Sequence, residues 1–90
     1  MLFMVIETFR DGDALAVYRR FRDEGRGAPD GLEYVDSWVD ASLNRCFQLM
    51  ETEDLGLLQL WVAFWADLVD FEIVPVLPSR DAYAALQPKL

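Results

Sequence analysis

Two glutamates interrupt apolar stretches of this chain, Glu7 within LFMVIETF (residues 2–9) and Glu72 within FEIVPV (residues 71–76). A carboxylate enclosed by apolar side chains loses the hydration of its charged form. Its pKa then rises toward the range in which it can pass a proton near neutral pH. Each glutamate is therefore a candidate general acid or base. The competing reading places Glu7 at a strand end and Glu72 on an exposed edge, both solvated, as most charged side chains are.

A second set of candidates comes from the runs LEYVDSWVD (residues 32–40) and RCFQLMET (residues 45–52). Paired symmetrically about the turn between them, they set Tyr34, Asp36 and Trp38 beside Glu51, Leu49 and Phe47. Val35, Ser37 and Val39 then lie beside Met50, Gln48 and Cys46. Ser37 with Gln48 offers neutral hydrogen-bonding groups to a ligand, and Asp36 with Glu51 offers carboxylates. Trp38 supplies an aromatic wall with one N–H donor. Ligand-binding candidates are thus Glu7, Asp36, Ser37, Trp38 and Gln48. A one-residue slip of register exchanges the two faces, so which set looks inward is open at this level.

Other chemistry is absent from the residue types themselves. The chain contains no His, so Cys46 has no partner for Cys-His nucleophilic catalysis and reads as a small buried thiol. The usual haem axial ligand and most zinc sites are missing for the same reason. Asp11-Gly12-Asp13 lacks the remaining ligands of a calcium loop, and neither a dinucleotide glycine fingerprint nor a P-loop is present. No metal and no cofactor is expected.

The elements that must position these residues can be read from periodicity. The apolar run of residues 2–9 has the pattern of a central strand. Asp11-Gly12-Asp13 turns the chain and supplies a helix cap. Ala14, Val17, Tyr18 and Phe21 then recur at helical spacing until Gly25 and Gly27. Pro29-Asp30-Gly31 marks a turn before the hairpin of residues 32–52. Asp54 caps a second helix, expected to reach Leu68. Phe71 to Val76 follows as a strand in which Pro75 favours an edge position. A terminal helix starting at Ser79 is expected to bury Tyr83 and Leu86.

The order β-α-β-β-α-β is the split βαβ arrangement of an α+β, ferredoxin-like protomer, with a four-stranded antiparallel sheet and both helices on one face. The second helix is apolar over roughly 220° of its circumference, where about 100° suffices against one sheet. The surplus arc of Leu57, Leu60 and Phe64 needs another partner, expected to be a second copy of the chain. Ninety residues make a single domain, residues 1–90, and 53% of them are hydrophobic, which also favours a homodimer over a larger monomeric core.

Sixteen acidic residues against eight basic ones give a net charge of −8, which disfavours nucleic acid as a partner. Residues 1–26 are neutral overall, their Arg cluster pairing at i,i+4 as Arg19 with Asp23 and Arg20 with Glu24; an anion site is the sharper alternative for that cluster. One cysteine suits a reducing cytoplasm, and no stretch reaches the length of a membrane span or a signal core.

The stretches MLFMVIETF, GLEYVDSWVD, RCFQLMET and LLQLWVAFWADLVDFEIVPV resemble a short bacterial domain-of-unknown-function family of the dimeric α/β-barrel superfamily. That resemblance implies two sheets packed face to face, with a pocket inside the barrel. The superfamily spans cofactor-free monooxygenases, haem-degrading enzymes, small isomerases and ligand-binding modules. Three functions follow as expectations: binding of a small, partly apolar ligand inside the barrel, a cofactor-free monooxygenase- or isomerase-like enzyme using Glu7 or Glu72, and a purely structural or assembly module.

Overall fold

The computed structural model describes residues 1–90. β1 (Leu2–Phe9) leads through a 3-10 turn at Arg10–Gly12 into α1 (Ala14–Glu24). Asp13 caps α1, its Oδ1 accepting from the Ala16 N–H at 3.1 Å. Gly25 ends the helix at φ +75°, its N–H donating to the Phe21 carbonyl. β2 (Glu33–Val39) and β3 (Arg45–Glu51) form the hairpin. α2 (Leu55–Trp65) is capped by Asp54, which accepts from the Gly56 N–H at 2.8 Å. β4 (Val69–Val76) and α3 (Ser79–Leu86) complete the chain.

The sheet is antiparallel throughout, with strand order β2-β3-β1-β4. This is the expected βαββαβ topology of ferredoxin-like type, with Pro75 on an edge strand, where its missing N–H costs no ladder bond. Side chains alternate along β1. Phe3, Val5, Glu7 and Phe9 are buried, while Leu2, Met4 and Ile6 are only half-buried and Thr8 is exposed. The buried set packs with Leu32, Met50, Leu58, Trp61, Trp65 and Val69 into the core under the helices. The other face carries Leu2, Met4, Ile6, Phe47, Leu49, Val74 and Val76, all half-buried.

Several sequence expectations need correction. α2 stops at Trp65 instead of Leu68, and β4 begins at Val69 instead of Phe71. Val69 pairs with Phe9, and the Arg10 N–H donates to the Leu68 carbonyl at 2.9 Å, so long-range ladder bonds end the helix early. Tyr34 lies opposite Met50 and not Glu51, because a bulge between Tyr34 and Asp36 leaves Val35 without a register partner; from Asp36 onward the pairing is as expected.

The surplus apolar arc of α2 is covered mostly from within the protomer. The loop of residues 25–32 lies against it, so close that a Cβ on Gly27 would stand 2.5 Å from the Phe64 ring and one on Gly31 2.9 Å from Leu57. Leu57 and Phe64 are half-buried, and only Leu60 stays exposed. The terminal helix forms where expected, but Tyr83 and Leu86 are 64% and 56% exposed rather than buried. α3 projects from the end of β4, which stretches the protomer to 48 × 30 × 17 Å.

Candidate functional site

Glu7 points toward the helices and is 6% exposed, so the solvated reading of this residue does not hold. Its strand places it opposite Cys46 on β3 and Phe71 on β4. Gln48, two residues along β3 from Cys46, is 4% exposed and donates from Nε2 to Glu7 Oε2 at 2.9 Å. The other end of that amide, Oε1, accepts from the Arg26 guanidinium. Cation, amide and carboxylate thus form a continuous chain. Gln48 holds the two charges apart while coupling them.

Arg26 sits between two glycines, Gly25 and Gly27, both at φ +75°. Its carbonyl accepts from two indoles, Trp61 Nε1 at 3.0 Å and Trp65 Nε1 at 2.8 Å. These bonds satisfy both core tryptophans and tie the loop to α2. The guanidinium lies 3.7 Å from the Tyr34 ring centroid and 5.3 Å from that of Phe21. Tyr34 in turn sits with its hydroxyl 2.8 Å from Ser37 Oγ.

These groups border a cavity of about 130 Å³ between the sheet and the helices. Glu7, Gln48, Cys46, Trp61 and Trp65 form its floor and back. Tyr18, Phe21 and Val39, each more than a third exposed, mark the open side between α1 and β2. Ser37, Arg26, Phe9 and Val17 complete the lining.

Burial pushes the Glu7 carboxyl above the usual carboxylate value; hydrogen bonds from Cys46 and Gln48 and the charge of Arg26 offset part of that rise. Burial, reinforced by the charge of Glu7 and hydrogen bonding with it, pushes the Cys46 thiol up to about 12, which makes it a poor nucleophile. The Tyr18 hydroxyl is raised as well, first by burial and then by Cys46 and Glu7. The cavity therefore offers one carboxyl with a raised pKa, one permanent cation, neutral hydroxyls and aromatic walls.

A family model described as Domain of unknown function (DUF3303) matches residues 1–90. The chain belongs to this family. The family description states no activity. No curated protein and no solved structure matches the chain. The βαββαβ topology agrees with the expectation drawn from the resemblance, while closing a barrel would take a second chain.

Of the sequence candidates in this DUF3303 domain, the fold brings together Glu7, Ser37 and Gln48. Asp36 and Trp38 lie opposite Leu49 and Phe47 on the other face of the sheet, outside the cavity. Asp36 accepts from the Ser37 N–H at 2.8 Å, and Trp38 is 51% exposed. Glu72 is opposite Ile6 on that same outer face and exposed, away from Glu7. The cavity also lies on the helix side of the sheet, not on the side where a second sheet would close a barrel.

The residues that sequence reasoning missed are Arg26, Tyr18 and Phe21. Arg26 falls in the Arg cluster of residues 1–26, but its setting carries a signal of its own. An arginine between two glycines, just past a helix end, sits where the backbone is free to turn inward. Arg20 shows the contrast: its guanidinium is held by Asp67 at 2.6 and 2.7 Å and by the Phe64 carbonyl at 2.9 Å. It joins α1 to the end of α2 and plays no part in the cavity.

No helix is long and apolar enough to cross a membrane, and no group of three or more Cys, Asp or Glu side chains gathers as a metal site.

Proposed function

We propose that this domain binds a small, partly apolar molecule in the cavity between its helices and its sheet. The observation that carries the reading is the buried chain Arg26–Gln48–Glu7 at the edge of an otherwise aromatic enclosure. Burying a carboxylate is costly even where, as here, an amide hydrogen-bonds to it, so its place in a cavity wall favours a ligand-binding role. Apolar walls with a few convergent polar groups are the usual make-up of a small-molecule site. A purely structural module leaves the buried carboxylate without a role.

Trp61 and Trp65 line the cavity, so their fluorescence reports its occupancy directly. Titration with neutral one-ring compounds such as phenol or benzamide should give a saturable change that Gln48→Leu weakens. A response that rises linearly without saturation, unaltered in the variant, refutes binding in this cavity.

A second reading is favoured by the raised pKa of Glu7. In a cofactor-free monooxygenase- or isomerase-like enzyme, Glu7 takes a proton from an enolisable or oxidisable substrate whose carbonyl is held by Gln48 or Ser37. Glu72 has no part in this reading, since it stands on the far face. Any activity found should show one pH inflection above the ordinary carboxylate range, lost in Glu7→Gln. Wild-type turnover in that variant eliminates the reading.

The working unit we propose is a homodimer joined through the open sheet face, where Leu2, Met4, Ile6, Phe47 and Leu49 form a contiguous apolar surface. Two sheets meeting there make a barrel with both cavities on its outer layers. The acidic surface argues against nucleic acid as a partner, and the free Cys46 suits a reducing, cytoplasmic setting.

A further inference from the structure

Arg26 is the one arginine lining the cavity, and its charge is not balanced by direct contact with any carboxylate. Arg10, Arg20, Arg22, Arg45 and Arg80 each form an ion pair; Arg19, exposed on α1 with its expected partner Asp23 taken by Arg22, and Arg26 form none. A guanidinium carries five N–H donors. One goes to Gln48 Oε1, and the side chain makes no other hydrogen bond within the protein. The rings of Tyr34 and Phe21 restrict the group without giving its donors an acceptor. A planar fork restrained in this way, with free donors at a cavity wall, matches the two oxygens of a carboxylate.

The cavity sets the size of what such a group could hold. About 130 Å³ is close to the roughly 150 Å³ of an engineered apolar cavity that admits benzene, so it has room for one six-membered ring. Phe9, Trp61 and Trp65 supply apolar and aromatic surface for the ring, and Ser37 and Tyr18 supply hydroxyls near the open side.

We propose that the ligand of this cavity is a small planar monocarboxylate of about benzoate size, its carboxylate paired with Arg26 and its ring lying among the aromatic walls. The inference rests on the reading that the cavity binds a small molecule, and it specifies the charge and shape of that molecule. The net acidity of the chain does not oppose it, because the one carboxylate lining the cavity, Glu7, is set off from the guanidinium by the Gln48 amide.

Anion binding is coupled to Glu7. A second negative charge in the cavity disfavours the ionised form of Glu7, so the complex takes up a proton from solvent, and affinity is highest where Glu7 is already protonated. The other groups facing Glu7 are Cys46 from β3, Tyr18 from α1 and Arg26 from the loop. The Cys46 thiol lies near 12 and the Tyr18 hydroxyl is raised above its ordinary value, so neither titrates near neutrality. From α2 and β4 come Trp61, Trp65 and Phe71, which do not titrate.

The test is a calorimetric titration of the intact chain with benzoate, benzamide and benzylamine, run from about pH 5.5 to pH 8 so that benzoate stays ionised. Benzoate should bind about tenfold more tightly than benzamide, the factor that one charge-assisted hydrogen bond supplies. Benzylamine should not bind. Any change of benzoate affinity with pH should be a fall as pH rises, and it should be absent in Glu7→Gln. Arg26→Gln should remove the preference for benzoate, and Arg26→Lys should weaken binding while keeping the preference. The wild-type comparison of benzoate with benzamide decides the matter even where a variant fails to fold. Equal affinities for those two compounds, or a preference surviving in Arg26→Gln, overturn the carboxylate inference and leave the cavity as a site for neutral molecules. No saturable binding of any probe overturns both.

Discussion

Gln48 reaches Glu7 diagonally across the β1–β3 ladder. Its Nε2 donates to Glu7 Oε2 at 2.9 Å, although the register partner of Glu7 is Cys46 and that of Gln48 is Val5. Both side chains are buried. The pair therefore behaves as a unit, in which removal of one member leaves the second unsatisfied.

Gln48→Leu keeps the volume close to native but removes a donor from Glu7 and an acceptor from Arg26. We expect a loss of about 1–3 kcal/mol in urea unfolding, the cost of stranding a buried polar group. The Glu7 carboxyl should also rise further, since one of the interactions that lowers it is gone. Side-chain carboxyl NMR across a pH series measures that second effect independently of stability.

The raised pKa of Glu7 fixes the sign of a pH effect on stability. The folded state holds the proton more tightly than the unfolded state, whose value is near 4.5. The stabilisation is complete below that value and is lost as pH rises through the higher folded pKa. Wild type should therefore lose melting temperature relative to Glu7→Gln on going upward from pH 4.5, with the difference levelling off once Glu7 is fully ionised. Asp40 and Asp67, whose carboxyls are lowered by hydrogen bonds from Arg45 and Asn44 and from Arg20, act in the opposite direction. They are common to both proteins and cancel in the comparison. A parallel pair of curves contradicts the expectation.

Gly27→Ala tests the loop that covers α2. Gly27 has φ +75°, and a Cβ there would meet the Phe64 ring at 2.5 Å. The substitution adds left-handed strain to a steric clash, so a loss of about 1–3 kcal/mol is expected in equilibrium unfolding. Gly12→Ala has a similar φ of +64° but open space around the new methyl, and it should cost less. The difference between the two variants isolates the packing contribution from the backbone strain.

Ile6→Asp tests the proposed dimer without touching the cavity, because Ile6 faces away from Glu7 on β1. A charge at the centre of an apolar interface is strongly unfavourable once desolvated. Light scattering at micromolar concentration should give a dimer mass for wild type and a monomer mass for the variant. A wild-type monomer refutes the dimer, and a dimeric variant moves the interface elsewhere.

The order and type of the elements were determined by the sequence alone, because they rest on local rules. Asp13 and Asp54 cap the helices they were expected to cap, and Pro75 lies on an edge strand. The pairing of Ser37 with Gln48 was equally legible, since two-residue alternation survives the bulge at Val35.

Which face is covered, and by what, was decided only in three dimensions. Alternation groups Asp36 with Trp38 and Ser37 with Val39, but both sets are equally polar-and-apolar, so only the packing of the helices onto one face of the sheet puts Ser37 in the cavity wall and Trp38 outside it. The apolar arc of α2 asked for a partner, and the loop of residues 25–32 supplied most of it through two glycines that make room for Phe64 and Leu57. Arg26 enters the site by the same route, its carbonyl held by indoles from residues 35 and 39 positions away. Contacts at that separation depend on the whole chain closing on itself, and no local pattern encodes them.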